Sequence, residues 1–151
     1  MNIQSLTLLD VQPSQFYISE DKLHGVEAWL KDDLQGFEPI PVKLLDGIPV
    51  MTDGHTRAVA ALRRGWIRVP MTAETDDLDW KMYQLCVDAC RKQSVFTPKD
   101  LMARIISAAD YRRLWDKWCD EMQEKAIHGR SIVKNTETYR SPDYKNAAIK
   151  P

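Results

Sequence analysis

The residues best suited to chemistry stand together in Asp53-Gly54-His55-Thr56-Arg57, between an apolar run ending at Val50-Met51-Thr52 and a run of small apolar residues from Ala58. A strand that passes directly into a helix presents backbone N–H groups without intrahelical partners, and the helix dipole favours an anion there. Gly54 lets the chain turn and a ligand approach the backbone. The Thr56 hydroxyl is a donor, and the Arg57 guanidinium matches phosphate oxygens in a bidentate contact. His55 adds a donor or an acid. Asp53 repels phosphate unless it orients the loop, binds a bridging cation or takes a proton from a reacting hydroxyl. On this reading the loop is a phosphate-binding site, with Asp53 and His55 as candidate catalytic residues. The same residues also fit a plainer role, with Asp53-Gly54 as a turn, Asp53 or Thr56 as a helix cap, and Arg57 as a solvated charge.

The elements that must position this loop are legible as patterns. Leu6 to Val11 reads as a short strand broken by Pro13-Ser14. Ser19 is expected to cap a helix with Glu20 and Asp21 in its first turn and with Leu23, Val26, Trp29 and Leu30 facing inward, ending before Gly36. Ile40 to Leu45 and Ile48 to Thr52, separated by Asp46-Gly47, predict a β-hairpin. Pro41 and Pro49 lack ladder donors, which puts part of that hairpin at a sheet edge or a strand start. Ala58, Val59, Ala61 and Leu62 give the following helix an apolar face, Gly65 its stop, and Ile67 to Met71 the next strand.

The remainder reads as helical. Leu78, Met82, Leu85, Cys86, Ala89 and Cys90 mark one helix, and Thr97-Pro98-Lys99-Asp100 is a capping-box start for a second. Ser107-Ala108-Ala109-Asp110 repeats the start signal ahead of Leu114, Trp115, Trp118, Cys119 and Met122, and from about Ile127 the periodicity fails, as in a flexible tail. The expected architecture is α+β: residues 1–75 form a domain with a small mixed sheet and helices, 76–126 a helical extension packed on it, and 127–151 the tail.

Composition narrows the functional classes. The chain has 151 residues and a formal net charge of -1, with 21 basic against 22 acidic side chains. Such a balance gives no overall basic field for nucleic acid and no acidic excess for disorder. The N-terminus has no leader pattern and no window reaches membrane-spanning length, so the cytoplasm is the expected compartment and no membrane partner is expected. Cys86, Cys90 and Cys119 are an odd number and argue against a disulfide framework. Cys86 and Cys90 share a helical face, but with no further ligand nearby they read as core cysteines rather than a metal edge. Arg63, Arg64 and Arg68 either extend the loop's positive field or complement a helix end. His24 reads as a surface histidine.

The ordered succession Phe37-Glu38-Pro39-Ile40-Pro41-Val42, then Val50 through Leu62, then Gly65-Trp66-Ile67-Arg68-Val69-Pro70 resembles the ParB N-terminal domain, with Val11-Gln12-Pro13-Ser14-Gln15-Phe16 where that family has a strand and a proline turn. The resemblance spans Leu6 to Met71 and implies a ParB/sulfiredoxin-like domain. Partitioning ParB proteins bind and hydrolyse CTP and clamp DNA with a Gly-Glu-Arg-Arg loop; here Gly54-His55-Thr56-Arg57 stands there, and the helical remainder is short for both a DNA-reading and a dimerisation domain. Sulfiredoxin has a reactive cysteine where His55 stands, so its chemistry is not expected. The loop is more similar to the Asp-Gly-His-His-Arg sequence of ParB-like free-serine kinases, in which the Asp assists the reacting hydroxyl and a Glu in the proline turn acts as base. In this chain Gln15 stands where that Glu is expected and cannot take the proton; Glu20 is a substitute base or simply a first-turn carboxylate. No second carboxylate at metal-site spacing accompanies Asp53 and His55, which places a nuclease below the other readings.

The expectation is therefore a nucleotide or other phosphorylated ligand held by Gly54, His55, Thr56 and Arg57 with Pro13, Ser14 and Gln15. The implied ligand is a nucleoside di- or triphosphate with magnesium. The alternatives are a kinase-like phosphotransferase acting on a small hydroxyl substrate, and a DNA-associated partitioning or regulatory accessory whose C-terminal helices bind DNA or a partner. Trp115 and Trp118 favour ordinary packing over a helix-turn-helix.

Overall fold

The computed structural model describes residues 2–129. Within them the chain is α+β, with small sheets, helices and a largely helical C-terminal part. Ser19 caps α1 (Glu20–Trp29), its side chain accepting from Lys22 N, and Glu20 and Asp21 lie at the positive end of the helix. Leu23 and Val26 face the core, and Leu30 ends the helix, well short of Gly36.

The hairpin forms as β2 (Ile40–Leu45) and β3 (Ile48–Met51), antiparallel, with Val42 opposite Met51. Asp46 (φ 50) and Gly47 (φ 78) make the turn in the left-handed region that Asp-Gly tolerates. β4 (Met71–Ala73) adds in parallel on the other side of β2, giving the order β3-β2-β4. Pro49 therefore sits on an edge strand, where its carbonyl accepts from Gln12 N at 2.8 Å. Pro41 is the second residue of the central strand, beside its start.

Two expected strands differ. Residues 67–70 are not strand: they lead into β4, and Ile67 O accepts from Leu8 N at 2.8 Å. Leu6 to Val11 is not a strand either. A 3-10 turn covers Ile3–Ser5, Asp10 accepts from both the amide and the hydroxyl of Thr7, and only Gln12 bridges to Val50. Leu8 and Val11 are still fully buried, so their apolar character reports burial rather than pairing.

α2 (His55–Arg63) follows the hairpin and ends at Gly65, which takes φ 83. α3 (Trp80–Lys92), capped by Asp79, buries Met82, Tyr83, Cys86, Val87 and Cys90. Thr97 and Asp100 form the expected capping box, with Pro98 at its start, but the helix α4 (Pro98–Leu101) is a single turn. Next comes a strand in a segment expected to be wholly helical: β5 (Ile105–Ile106) pairs in parallel with β1 (Ile18–Ser19). Residues 76–126 thus do more than pack on residues 1–75; they complete one of its sheets. Ser107 caps α5 (Ala108–Tyr111), which continues through a π-helical stretch, Arg112–Asp116, into α6 (Lys117–Gly129). The helix runs past Ile127, where the tail was expected to begin; residues 130–151 of that tail lie outside the described residues.

The aromatic heart of the core joins the two halves. Trp115 is fully buried and meets Phe16 edge-on at 4.9 Å; Trp118 meets the same ring at 5.0 Å and stacks on Trp115 at 5.5 Å. Both tryptophans are packing residues. No helix among the described residues is long and apolar enough to cross a membrane.

Candidate functional site

β3 delivers Thr52 to the end of the hairpin, and α2 starts three residues later. Between them Gly54 is the N-cap of α2 at φ 82, a conformation natural to glycine, which brings no side chain of its own to cap the helix. The Asp53 carboxylate accepts from Gly54 N at 2.8 Å, a bond within the loop itself.

The Pro13-Ser14-Gln15 turn packs directly against this loop, uniting the two stretches of candidate ligand-binding residues. Ser14 N donates to His55 Nε2 at 3.0 Å, and Ser14 Oγ donates to Met51 O at 2.7 Å. Nε2 is therefore the ring nitrogen of His55 that accepts. His55 is fully buried, and Thr56 and Arg57 retain 4% of their exposure each. The Arg57 guanidinium lies beside Gly54 and donates to Pro39 O at 3.4 Å. Arg57 is thus no solvated charge. Asp53 is the partly exposed member of the loop.

Gln15 occupies the expected position of a base and is fully buried. Its side-chain nitrogen donates to Tyr17 O at 2.9 Å and to the Tyr111 hydroxyl at 3.1 Å, which is the work of a structural amide. Glu20 is exposed at the start of α1. Its position suits the helix dipole.

Several residues around the loop escaped the sequence reading. Tyr83 on α3 donates to Thr52 O at 3.1 Å, and Thr52 Oγ1 donates to Glu74 Oε1 at 2.6 Å. A second carboxylate therefore reaches Thr52, the residue before Asp53, although twenty-one positions separate 53 from 74 and spacing alone conceals it. Burial, with Cys86, Asp53 and Glu74 adding negative charge, pushes the Tyr83 hydroxyl well above its ordinary range, so it stays a donor. Gln12 donates to Pro13 O at 2.9 Å and Val95 O at 2.8 Å, and accepts from Arg91 Nη1 at 3.0 Å. The available signal was polarity out of place: Gln12 and Gln15 in an apolar run, and a tyrosine on the buried face of a helix, whose hydroxyl needs a partner.

Arg63, Arg64 and the three cysteines are accounted for by pairing and packing. Arg63 pairs with Glu27 at 2.9 Å and Arg64 with Asp32 at 2.8 Å, which spends their charge on α1 and the loop after it. His24 is exposed. Cys86, Cys90 and Cys119 are buried thiols, and burial raises the Cys90 thiol far above its usual range. Among the described residues no three His, Cys, Asp or Glu side chains gather as a metal site.

No protein-family model matches this chain, and no curated protein matches it. Among solved structures it is similar to protein Atu1540 from Agrobacterium tumefaciens, at 11% sequence identity and a TM-score of 0.43, over 96% of this chain and 79% of that one. A likeness of that size assigns neither a family nor an activity.

Proposed function

We propose that the chain is a ParB/sulfiredoxin-like domain protein of the cytoplasm that binds a nucleotide or another phosphorylated ligand through Asp53–Arg57. The observation that carries this reading is the start of α2. It opens at a left-handed glycine, no acidic residue lies in its first turn, and the buried Ser14–His55 hydrogen bond fixes the proline turn beside it. A phosphate accepts from backbone N–H groups in such a position and is favoured by the dipole. Because the side chains of His55, Thr56 and Arg57 are buried, the ligand meets the loop at its backbone N–H groups, near Asp53, while Thr56 and Arg57 act from behind by holding those groups in place. Magnesium enters with the phosphates of the ligand, as suits an ion that retains waters and needs few protein carboxylates; Asp53 is the nearest candidate to face it.

Binding is favoured over phosphoryl transfer because Gln15 cannot accept a proton and is tied to Tyr17 and Tyr111. Calorimetric titration with CTP, ATP and ADP, each with and without magnesium, tests the proposal. Saturable binding of at least one nucleotide, weakened in Thr56→Val and lost in a folded Arg57→Ala variant, is expected. Absence of binding to all three would remove the nucleotide reading. Incubation of the complex with serine and related hydroxyl compounds is expected to give no phosphorylated product; its appearance would turn the binding protein into an enzyme.

A further inference from the structure

We propose that Tyr83, contributed by the C-terminal part of the chain, is a positioning residue for the phosphate loop, acting through the carbonyl of Thr52. This rests on the reading of Asp53–Arg57 as that loop. Thr52 is the last residue before the turn, and each of its polar groups is held from a different direction. Its N–H donates to Pro41 O on β2 at 3.1 Å, its hydroxyl donates to Glu74 at 2.6 Å, and its carbonyl accepts from the Tyr83 hydroxyl at 3.1 Å. The carbonyl of Thr52 and the N–H of Asp53 belong to one planar peptide unit, so fixing the first fixes the second. The orientation of that plane sets how the chain enters Gly54, and hence where the first N–H groups of α2 point.

The tyrosine is itself well placed for this work. It lies in the first turns of α3 and is 4% exposed, with its ring 5.5 Å from that of Trp80. Packing fixes the ring, so Tyr83→Phe removes the hydroxyl and its bond to Thr52 O while keeping the ring. The second half of the chain thereby enters the site without touching the ligand.

The full chain carrying Tyr83→Phe is compared with the unaltered chain and with Leu30→Ala, a core substitution at the end of α1 that lowers stability without touching Thr52. Amide hydrogen exchange is read at residues 53–58 without ligand, and nucleotide affinity by calorimetry, at a temperature where all three remain folded. Loss of one hydrogen bond is expected to accelerate loop exchange and weaken affinity by roughly threefold to tenfold in Tyr83→Phe. Leu30→Ala is expected to leave both local readings unchanged. Loop exchange at the unaltered rate in Tyr83→Phe, or an equal change in Leu30→Ala, overturns the proposal. Should the unaltered chain bind no nucleotide, the binding reading fails, while the exchange comparison still decides the positioning role. Should Tyr83→Phe not fold, the unaltered protein decides: a slowly exchanging Tyr83 hydroxyl proton seen by NMR beside the Asp53 amide supports the role, and rapid exchange with water overturns it.

Discussion

At the scale of single residues, Gly54 is constrained twice. Its φ of 82 is unfavourable for any residue with a Cβ, and a Cβ there would lie 2.8 Å from Arg57 Nη2 and 3.3 Å from Ile40 Cγ1. Gly54→Ala is expected to lose about 1–2 kcal/mol from the backbone conformation alone. A lower denaturant midpoint at unchanged slope checks it; an unchanged midpoint would mean the loop tolerates another conformation. His55 makes the second prediction. Replacing it with Phe strands the Ser14 N–H in a buried position, a cost of about 1–3 kcal/mol. A chemical-denaturation series should show that loss, and a loss no greater in His55→Phe than in an exposed His24→Phe would deny the Ser14 bond any weight. The sequence displayed Gly54 and His55 as loop residues because glycine and histidine are conspicuous between a strand and a helix. It did not display His55 as an acceptor, since its donor, Ser14, lies far away along the chain.

At the scale of elements, local signals read well and distant ones did not. Ser19, Thr97 and Ser107 start their helices as their spacing implied, because capping is settled within three or four residues. The Asp46-Gly47 hairpin is equally local. β5 carries no such signal: Ile105-Ile106 becomes a strand because Ile18-Ser19 lies beside it, with Arg104 donating to Phe16 O. α3 offers a test by pH. Tyr83 and Cys90 hold their protons more tightly in the folded chain than their ordinary values of 10.0 and 9.0 imply. The stability linked to those protons is complete below the ordinary values and is lost as pH rises above them. Denaturant midpoints should fall from about pH 9 upward. Tyr83→Phe combined with Cys90→Ala should flatten that fall, and an equally steep fall in the double variant would show that other groups carry it.

At the scale of the molecule, the two halves share one aromatic core and several buried hydrogen bonds. Phe16 packs on Trp115 and Trp118, Gln12 bonds to Val95 and Arg91, and Gln15 to Tyr111. The sequence suggested a boundary near residue 75 because the strand pattern stops there, and periodicity says nothing about which surfaces meet. A fragment of residues 1–75 is expected to show no cooperative thermal transition by circular dichroism; a sharp transition would restore it as an autonomous domain. The Asp53–Arg57 loop sits where the halves meet, and the proposal that it binds phosphate is decided most directly by two-dimensional amide NMR of the full chain titrated with CTP, ATP and ADP in magnesium. Binding at the start of α2 should move the Gly54, His55 and Thr56 amides first and saturably, with Thr52 and Tyr83 following. Nucleotides that leave those amides unmoved at saturating concentration, or that move a surface elsewhere, would contradict a phosphate site at Asp53–Arg57.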